Sequence, residues 1–144
     1  MATDLIQNGN FEAGEQGWQF TSGGSTIVGE EQVIIGNKYC KVASTESIFQ
    51  GVPLLAGVSF TVRFRFRGVP GGTVAIMKLN TNDIYWEKAI GPTSATEWND
   101  ASHTFQAEGA WAGPYMIHFQ ANTSPGNFLE LDNIELVDEA ARRK

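Results

Sequence analysis

The sequence contains little cysteine or histidine, the residues that most often build disulfides, zinc sites and nucleophilic centres. Cys40 is the one cysteine among 144 residues, so no intrachain disulfide can form, and the cysteine count says nothing about the redox compartment. The histidines are His103 and His118, and no Walker sequence, dinucleotide fingerprint or zinc-ligand spacing is present. A glycosidase needs only two carboxylates and is therefore not excluded. We nevertheless expect a protein that is not an enzyme.

Positive charge and long apolar runs are also scarce. Lys and Arg total 10 against 16 Asp and Glu, which gives a formal net charge of −6. This balance argues against a broad basic surface, so a nucleic-acid partner is not expected. No window approaches the roughly twenty apolar residues that span a bilayer, so no membrane partner is expected either. The first residues, MATDLIQNGN, lack the charged and apolar regions of a signal peptide.

Glycine and aromatic residues are plentiful, with 16 Gly, 9 Phe and 4 Trp. Apolar and polar residues alternate in many short segments separated by turn residues, which is the pattern of half-buried strands. The predicted strands cover residues 5–7, 26–35, 39–43, 47–54, 58–67, 72–80, 84–90, 102–107, 115–121 and 128–137. A chain of this length fits one domain, and the pattern predicts an all-β, two-sheet antiparallel sandwich or jelly roll.

The clearest predicted strand is SFTVRFRFRG. Its alternation assigns Phe60, Val62, Phe64 and Phe66 to the core face, and it assigns Arg63, Arg65 and Arg67 to the outward face. Arginines about 7 Å apart along one strand repel one another unless negative charge or a ligand offsets them. Ion pairs with carboxylates on neighbouring strands and contacts with a bound ligand are both consistent with this pattern.

The alternation changes phase inside the last predicted strand, LELDNIELV. Leu129 and Leu131 share one parity, whereas Ile134 and Leu136 share the other. A one-residue slip of this kind is what a β-bulge produces. The sequence therefore predicts a bulge near Asp132, with a strand–turn–strand arrangement and a solvated Asp132 as the alternative.

The first residues, LIQNGNFEAGEQGW, are typical of a strand that leads into an ordered loop. Asn8-Gly9 favours positive backbone dihedrals, and the further glycines argue against a helix. Phe11 and Trp18 are predicted to anchor this loop in the core, with the carboxylate of Glu12 between them.

Five segments taken in order resemble the carbohydrate-binding modules of the galactose-binding-like jelly-roll group. They are LIQNGNFEAGEQGW, GNKYCKV, LLAGVSFTVRFRFR, TEWNDASHTF and LELDNIELV. The resemblance implies one domain over residues 1–144, with a core at about 5–137 and a short polar tail. It also implies non-catalytic binding of a poly- or oligosaccharide and, since such modules accompany xylanases and cellulases, an extracellular location, although no signal peptide is visible.

The same resemblance implies a structural calcium ion (Ca²⁺). Glu12 and Asp132 would supply side-chain oxygens, and the carbonyls of Asn10, Ile35 and Lys38 would complete the shell. Calcium takes six to eight oxygen ligands, and a divalent ion removes the repulsion between two converging carboxylates. Asn10 departs from the aspartate often found in the family, and the alternative is that both carboxylates accept backbone hydrogen bonds without a metal.

A sugar ligand is expected to use aromatic rings together with polar side chains on a concave sheet or near loops. In the family Trp18 and Trp98 are core residues, which leaves other aromatics for this role. The predicted ligand-binding residues are Trp86, Tyr85, Phe49, Trp111, Arg63, Arg65, His118 and Gln120. The resemblance implies that the last four face outward on one concave sheet across which the ligand lies. Trp111 has an alternative role as a lid over the core edge, and only one of the adjacent Tyr85 and Trp86 can face the ligand if both lie on a regular strand.

A second function from a different class remains open at this stage. The same sandwich could be a structural, adhesion or phage-tail-like domain whose face or edge contacts another protein domain. Binding to glycans would favour the first function, and its absence would favour the second.

Overall fold

A computed structural model describes residues 5–9, 11, 16–20, 26–29, 38–43, 46–55, 57–69, 72–79, 83–90, 98–108, 111, 113–121 and 128–138. These residues form ten β-strands and no helix. Within them, no helical segment has the length and apolar character required to cross a membrane. The predicted all-β class is confirmed.

The ten strands lie in two antiparallel sheets. Their bounds are β1 Gln19–Phe20, β2 Thr26–Gly29, β3 Lys38–Ala43, β4 Ser47–Val52, β5 Ser59–Val69, β6 Gly72–Lys78, β7 Ile84–Ile90, β8 Asn99–Gln106, β9 Tyr115–Ala121 and β10 Phe128–Asp138. One sheet has the order β1-β4-β9-β6-β7, and we call it the β9 sheet after its central strand. The other has the order β2-β3-β10-β5-β8, and we call it the β10 sheet.

Most predicted strands are present with small shifts at their ends. The predictions for 84–90 and 115–121 match β7 and β9 residue for residue. The prediction of a strand at residues 5–7 is wrong. The Leu5 N–H donates to β10, but the segment forms no ladder with it. β1 was not predicted, because two residues are too few to show a period. Of the prediction for 26–35, residues 30–35 lie outside the described part of the chain.

The core lies between the two sheets and follows the predicted alternation. Phe60, Val62 and Phe64 of β5 are buried, and Phe66 is half-buried against the same cluster. Cys40 is also fully buried there, as expected for a small apolar residue. Because every second residue of a strand points to the core, the remaining residues form the two outward faces of the sandwich.

The start and the end of the described chain meet at the β10 sheet. The Leu5 N–H donates to the Leu136 carbonyl at 2.8 Å, and the Ile134 N–H donates to the Gly9 carbonyl at 2.9 Å. Phe11 is fully buried, with its ring centroid 5.4 Å from that of Trp18. The predicted roles of Phe11 and Trp18 as anchors of the N-terminal loop are therefore confirmed.

The predicted bulge in β10 is present. Asp132 pairs with Arg65 of β5, whereas Glu135 pairs with Arg63, so Asn133 and Ile134 of β10 stand opposite the single residue Phe64 of β5, one residue more than a regular ladder has. Asn133 has a φ of 51° and is exposed. Ile134 turns into the core. A bulge with one residue in the left-handed region re-aims the side chains around it.

Candidate functional site

The predicted ligand-binding residues lie on three separate surfaces. Phe49, His118 and Gln120 share the outward face of the β9 sheet. Tyr85, Trp86 and Trp111 lie in an aromatic cluster that contacts the core. Arg63 and Arg65 lie on the outward face of the β10 sheet. The expectation that the two arginines line one sheet face with His118 and Gln120 is wrong, because β5 and β9 belong to different sheets.

The outward face of the β9 sheet carries a row of side chains that crosses four strands, which we call the central row. Register places Phe49 of β4 opposite His118 of β9, His118 opposite Ala75 of β6, and Ala75 opposite Glu87 of β7. Four strands at a spacing of about 4.8 Å give a row roughly 14 Å long. The row changes from aromatic to small to acidic along its length.

Two further rows flank the central row. On one side Gln120 pairs with Thr73, and both are half-buried polar residues. On the other side Met116 pairs with Met77, and Met77 pairs with Ile84, which is 51% exposed. Ala75, Met77 and Met116 form an apolar cluster of their own, with Phe49 and Leu79 packed against it. The face therefore combines a polar margin with an apolar floor.

The rings of Phe49 and His118 lie side by side on this face. Their centroids are 6.2 Å apart, and the angle between the ring planes is 25°. Burial lowers the pKa of the His118 imidazole below its usual 6.5, because desolvation disfavours the charged form. A mainly neutral imidazole beside a phenyl ring provides a nearly continuous aromatic surface, and its ring nitrogens can still exchange hydrogen bonds with a ligand.

Residues of the face that the sequence did not identify as site residues are Thr73, Ala75 and Glu87. Alternation within GTVAIMK gives Thr73 and Ala75 the same parity, but parity alone does not reveal which outward face they join. Only the pairing of β6 with β7 and β9 brings them beside His118. That pairing is set by contacts distant in sequence, so local pattern could not have found these residues.

Trp86 and Trp111 of the aromatic cluster pack against the hydrophobic core. Trp86 pairs with Ile76 and packs against the core, with its ring stacked on Phe105 at 4.7 Å. Tyr85 stacks on Trp111 at 5.2 Å with an interplanar angle of 10°. The β6–β7 register shifts between Ile76 and Met77, so Tyr85 is an extra residue in the ladder and both adjacent aromatic rings join one cluster.

His103 lies beside this cluster on the core-facing side of β8. Its ring is 6.2 Å from that of Trp86. Burial lowers the pKa of His103, and the nearby positive charge of Lys88 lowers it further. His103 and His118 therefore stand on different surfaces of the sandwich.

Trp98 is not a core residue, contrary to the expectation from the family. It precedes β8 and lies on the outward face of the β10 sheet, where its ring contacts that of Tyr39 at 5.4 Å. The guanidinium of Arg67 lies 4.5 Å from the Trp98 ring centroid, and that of Arg65 lies at 5.4 Å. β8 begins at Asn99, three residues before the predicted start. Trp98 therefore lies beside the outward arginines of β5 and not in the core.

Of the expected calcium ligands, Asn10, Glu12 and Ile35 lie outside the described residues. Lys38 is the first residue of β3, and Asp132 is buried, with its Oδ1 accepting the Asn133 N–H at 2.8 Å. The described part of the chain contains no cluster of three or more His, Cys, Asp or Glu side chains suited to a metal ion. A single carboxylate completed by carbonyls would not form such a cluster.

Several solved structures with a similar fold are described as carbohydrate-binding modules. "Family 16 Carbohydrate Binding Module-2" superposes with a TM-score of 0.73 at 20% identity, covering 92% of this chain and 99% of that chain. The fold is that of jelly-roll carbohydrate-binding modules. "CBM4 structure and function" gives a TM-score of 0.71 at 16% identity, covering 92% and 99%. TmCBM61 in complex with beta-1,4-galactotriose gives 0.66 at 19%, covering 93% and 97%.

These likenesses confirm the resemblance predicted from the sequence at the level of the fold. No protein-family model matches the chain, and a search of curated proteins gives no match. At 20% identity or less, a shared fold does not transfer a ligand.

Proposed function

We propose that this protein is a non-catalytic carbohydrate-binding module that holds one glycan chain across the outward face of the β9 sheet. The single observation that carries the proposal is the central row, in which Phe49, His118, Ala75 and Glu87 are aligned by register across four strands. A chain laid along this row meets an aromatic surface at one end and a carboxylate at the other.

The chemistry of the row matches the two requirements of sugar recognition. The C–H face of a pyranose stacks on aromatic rings, and its hydroxyls bond to polar side chains. Phe49 and His118 supply the first element. Gln120 and Thr73 on one flank, and exposed Glu87 at the end, supply the second. Ala75 is buried and contributes to the apolar floor between these groups.

The form of the face favours a single soluble chain over a crystalline surface. The face has two aromatic rings, those of Phe49 and His118. Both are half-buried, and both lie at one end of a row roughly 14 Å long. The similarity to modules described as carbohydrate-binding, including one solved with beta-1,4-galactotriose, supports a saccharide as the class of ligand. We expect affinity to reach its plateau at oligosaccharides of a few units.

A glycan array followed by calorimetry on the best oligosaccharide tests the proposal. Phe49→Ala should weaken binding at least tenfold, since it removes the stacking surface while the inward face of β4 is untouched. Leu55→Ala is the matched control, because Leu55 is a large apolar side chain, 64% exposed, located between β4 and β5. It should bind as the wild type does.

Two outcomes would contradict this site. Binding that survives Phe49→Ala but is lost in Tyr85→Ala would move the ligand to the aromatic cluster. Silence across plant and bacterial polysaccharides would favour the alternative, a structural or adhesion domain that contacts another protein.

A structural calcium ion is a further part of the proposal. Gly9 and Phe11, which flank Asn10 in the chain, are held against β10 and in the core, respectively. The Gly9 carbonyl bonds to Ile134, two residues beyond the buried carboxylate of Asp132. This proximity supports a shell in which Asp132 and Glu12 supply side-chain oxygens and Asn10, Ile35 and Lys38 supply carbonyls. When bound, the ion would cross-link the chain start to β10.

A further inference from the structure

The outward face of the β10 sheet contains a cavity that the proposed glycan face does not use. Its volume is about 440 Å³, and its polar lining residues are Arg63, Arg65, Asp100, Ser102, Asn133 and Glu135. They come from β5, β8 and the bulge of β10. The volume lies in the range of roughly 300–1,000 Å³ found for small-molecule sites.

The bulge of β10 places an additional polar side chain at this cavity. Between Asp132, which pairs with Arg65, and Glu135, which pairs with Arg63, β10 has two residues, Asn133 and Ile134, where β5 has only one. Ile134 fills the core, whereas Asn133 adopts a φ of 51° and lies at the cavity. A regular ladder would have no extra residue at this step.

The three outward arginines of β5 are not equivalent. Arg67 Nε lies 2.6 Å from Glu130 Oε1, with both side chains largely buried. Arg63 and Arg65 lie 3.9 Å from Glu135 and 3.7 Å from Asp100, and these four side chains are 40–89% exposed. Such long, exposed pairs contribute little to stability and can rearrange around a ligand at small cost. Arg67 is thus committed to the fold, whereas Arg63 and Arg65 can serve another role.

The lining favours a neutral ligand rich in hydroxyl groups. Two guanidinium groups and two carboxylates cancel in charge, so an anion would meet as much repulsion as attraction. Guanidinium N–H groups donate in a fixed fork, carboxylates accept from O–H groups, and the Asn133 amide does both. Neighbouring hydroxyls of a sugar ring match this alternation of donors and acceptors. The Arg65 guanidinium also lies 5.4 Å from the Trp98 ring centroid, within cation–π range.

From this geometry we infer a second saccharide site, which binds one end or one short segment of a neutral glycan. It lies on the opposite side of the sandwich from the central row, so the two sites cannot share one sugar unit. A module with both sites can hold two chains at once. Neither site depends on the other, and each is tested by its own residues.

Amide NMR titration of the full chain tests the inference with cellotetraose, xylotetraose, mannotetraose and beta-1,4-galactotriose at millimolar concentration. We expect one of these probes to shift the amides of Ser102, Asn133 and Glu135. Arg65→Gln should weaken that response at least tenfold and leave shifts at His118 unchanged. Lys41→Gln is the matched control, because Lys41 is an exposed cation on the same sheet and outside the cavity.

The remaining outcomes separate the two proposals. Shifts confined to Phe49, His118 and Gln120 would overturn the second site and leave the proposed function standing. Shifts confined to Ser102, Asn133 and Glu135 would support the second site and overturn the proposed site on the β9 sheet. No shift at either set of residues would overturn both proposals. A response to trigalacturonate but to none of the neutral probes would overturn the neutral-sugar assignment.

Discussion

At the scale of single residues, identical side chains on one strand face have different energetic roles. Arg67 bonds to buried Glu130 and lies over Trp98, whereas Arg63 has a long, exposed pair with Glu135. Removing one partner of a buried pair leaves an uncompensated charge, which costs about 3 kcal/mol. We therefore expect Arg67→Gln to lower the free energy of unfolding by roughly that amount and Arg63→Gln by less than about 1 kcal/mol. Urea denaturation measures both, and equal effects would refute the distinction.

His118 makes the outward face of the β9 sheet sensitive to pH. Its folded pKa lies below the 6.5 of the exposed group, so the folded chain binds fewer protons than the unfolded chain. Stability from this group is therefore complete above about pH 6.5 and falls as the pH drops below that value. A sugar stacked on the ring would bury it further and favour the neutral form.

We expect glycan affinity to be weaker at pH 5 than at pH 7.5 in the wild type. His118→Gln should bind more weakly overall, and its affinity should be nearly independent of pH over this window. Calorimetry at the two pH values measures both effects, with NMR titration of the imidazole protons as the direct check. A variant that keeps the full pH dependence would show that another group is responsible.

At the scale of elements, the junction between the N-terminal segment and β10 depends on the absence of a side chain at Gly9. A Cβ added there would lie 1.9 Å from the Ile134 carbonyl oxygen. Gly9→Ala must displace the segment and its hydrogen bond with Ile134, which we expect to cost about 1–3 kcal/mol. Gly51→Ala is the control, because its nearest atoms would be 3.8 Å away. Equal urea midpoints for the two variants would contradict this close packing.

Alternation and phase predicted the directions of side chains well in this protein. SFTVRFRFRG showed which residues of β5 face the core, and the phase slip in LELDNIELV located the bulge. The choice of sheet was not predictable, because a period of two says only that a side chain points in or out. For this reason Arg63 and His118 were assigned to one face although they lie on opposite sides of the sandwich.

The aromatic residues show the same limit at the ends of strands. Trp98 was assigned to the core by family resemblance, and its actual position follows from a strand that begins at Asn99. Tyr85 and Trp86 share one cluster because of an irregular β6–β7 ladder that alternation did not signal. A shift in the register between two strands depends on the partner strand. It can be recognised from the sequence only when it interrupts the alternation of the strand itself, as in β10.

At the scale of the whole molecule, the two outward faces of the sandwich carry different kinds of side chain. The β9 sheet has an apolar floor and an aromatic row, whereas the β10 sheet has paired charges and a cavity with charged side chains in its lining. The β10 sheet also receives the N-terminal segment, so the chain start is tied to a central strand instead of an edge. A metal ion at this junction would act on the stability of the complete fold.

Calcium dependence of the melting temperature is the test at this scale. A ligand that binds only the folded state, at a hundred times its dissociation constant, adds about 2.7 kcal/mol. For a domain of this size that gain corresponds to a rise of roughly 10 °C. We expect calorimetry of the chelated protein to show such a rise when millimolar calcium is added, and a smaller one with magnesium, which tolerates fewer ligands.

Variants on one strand locate the ion. Asp132→Asn should abolish the calcium-dependent rise, whatever its own effect on the metal-free melting temperature, because the proposed shell loses a buried carboxylate. Asp138→Asn removes the same charge at the far end of β10 and should keep the rise in full. A wild type that shows no rise would overturn the calcium proposal and leave the Leu5 and Gly9 hydrogen bonds, among the described residues, as contacts between the N-terminal segment and β10.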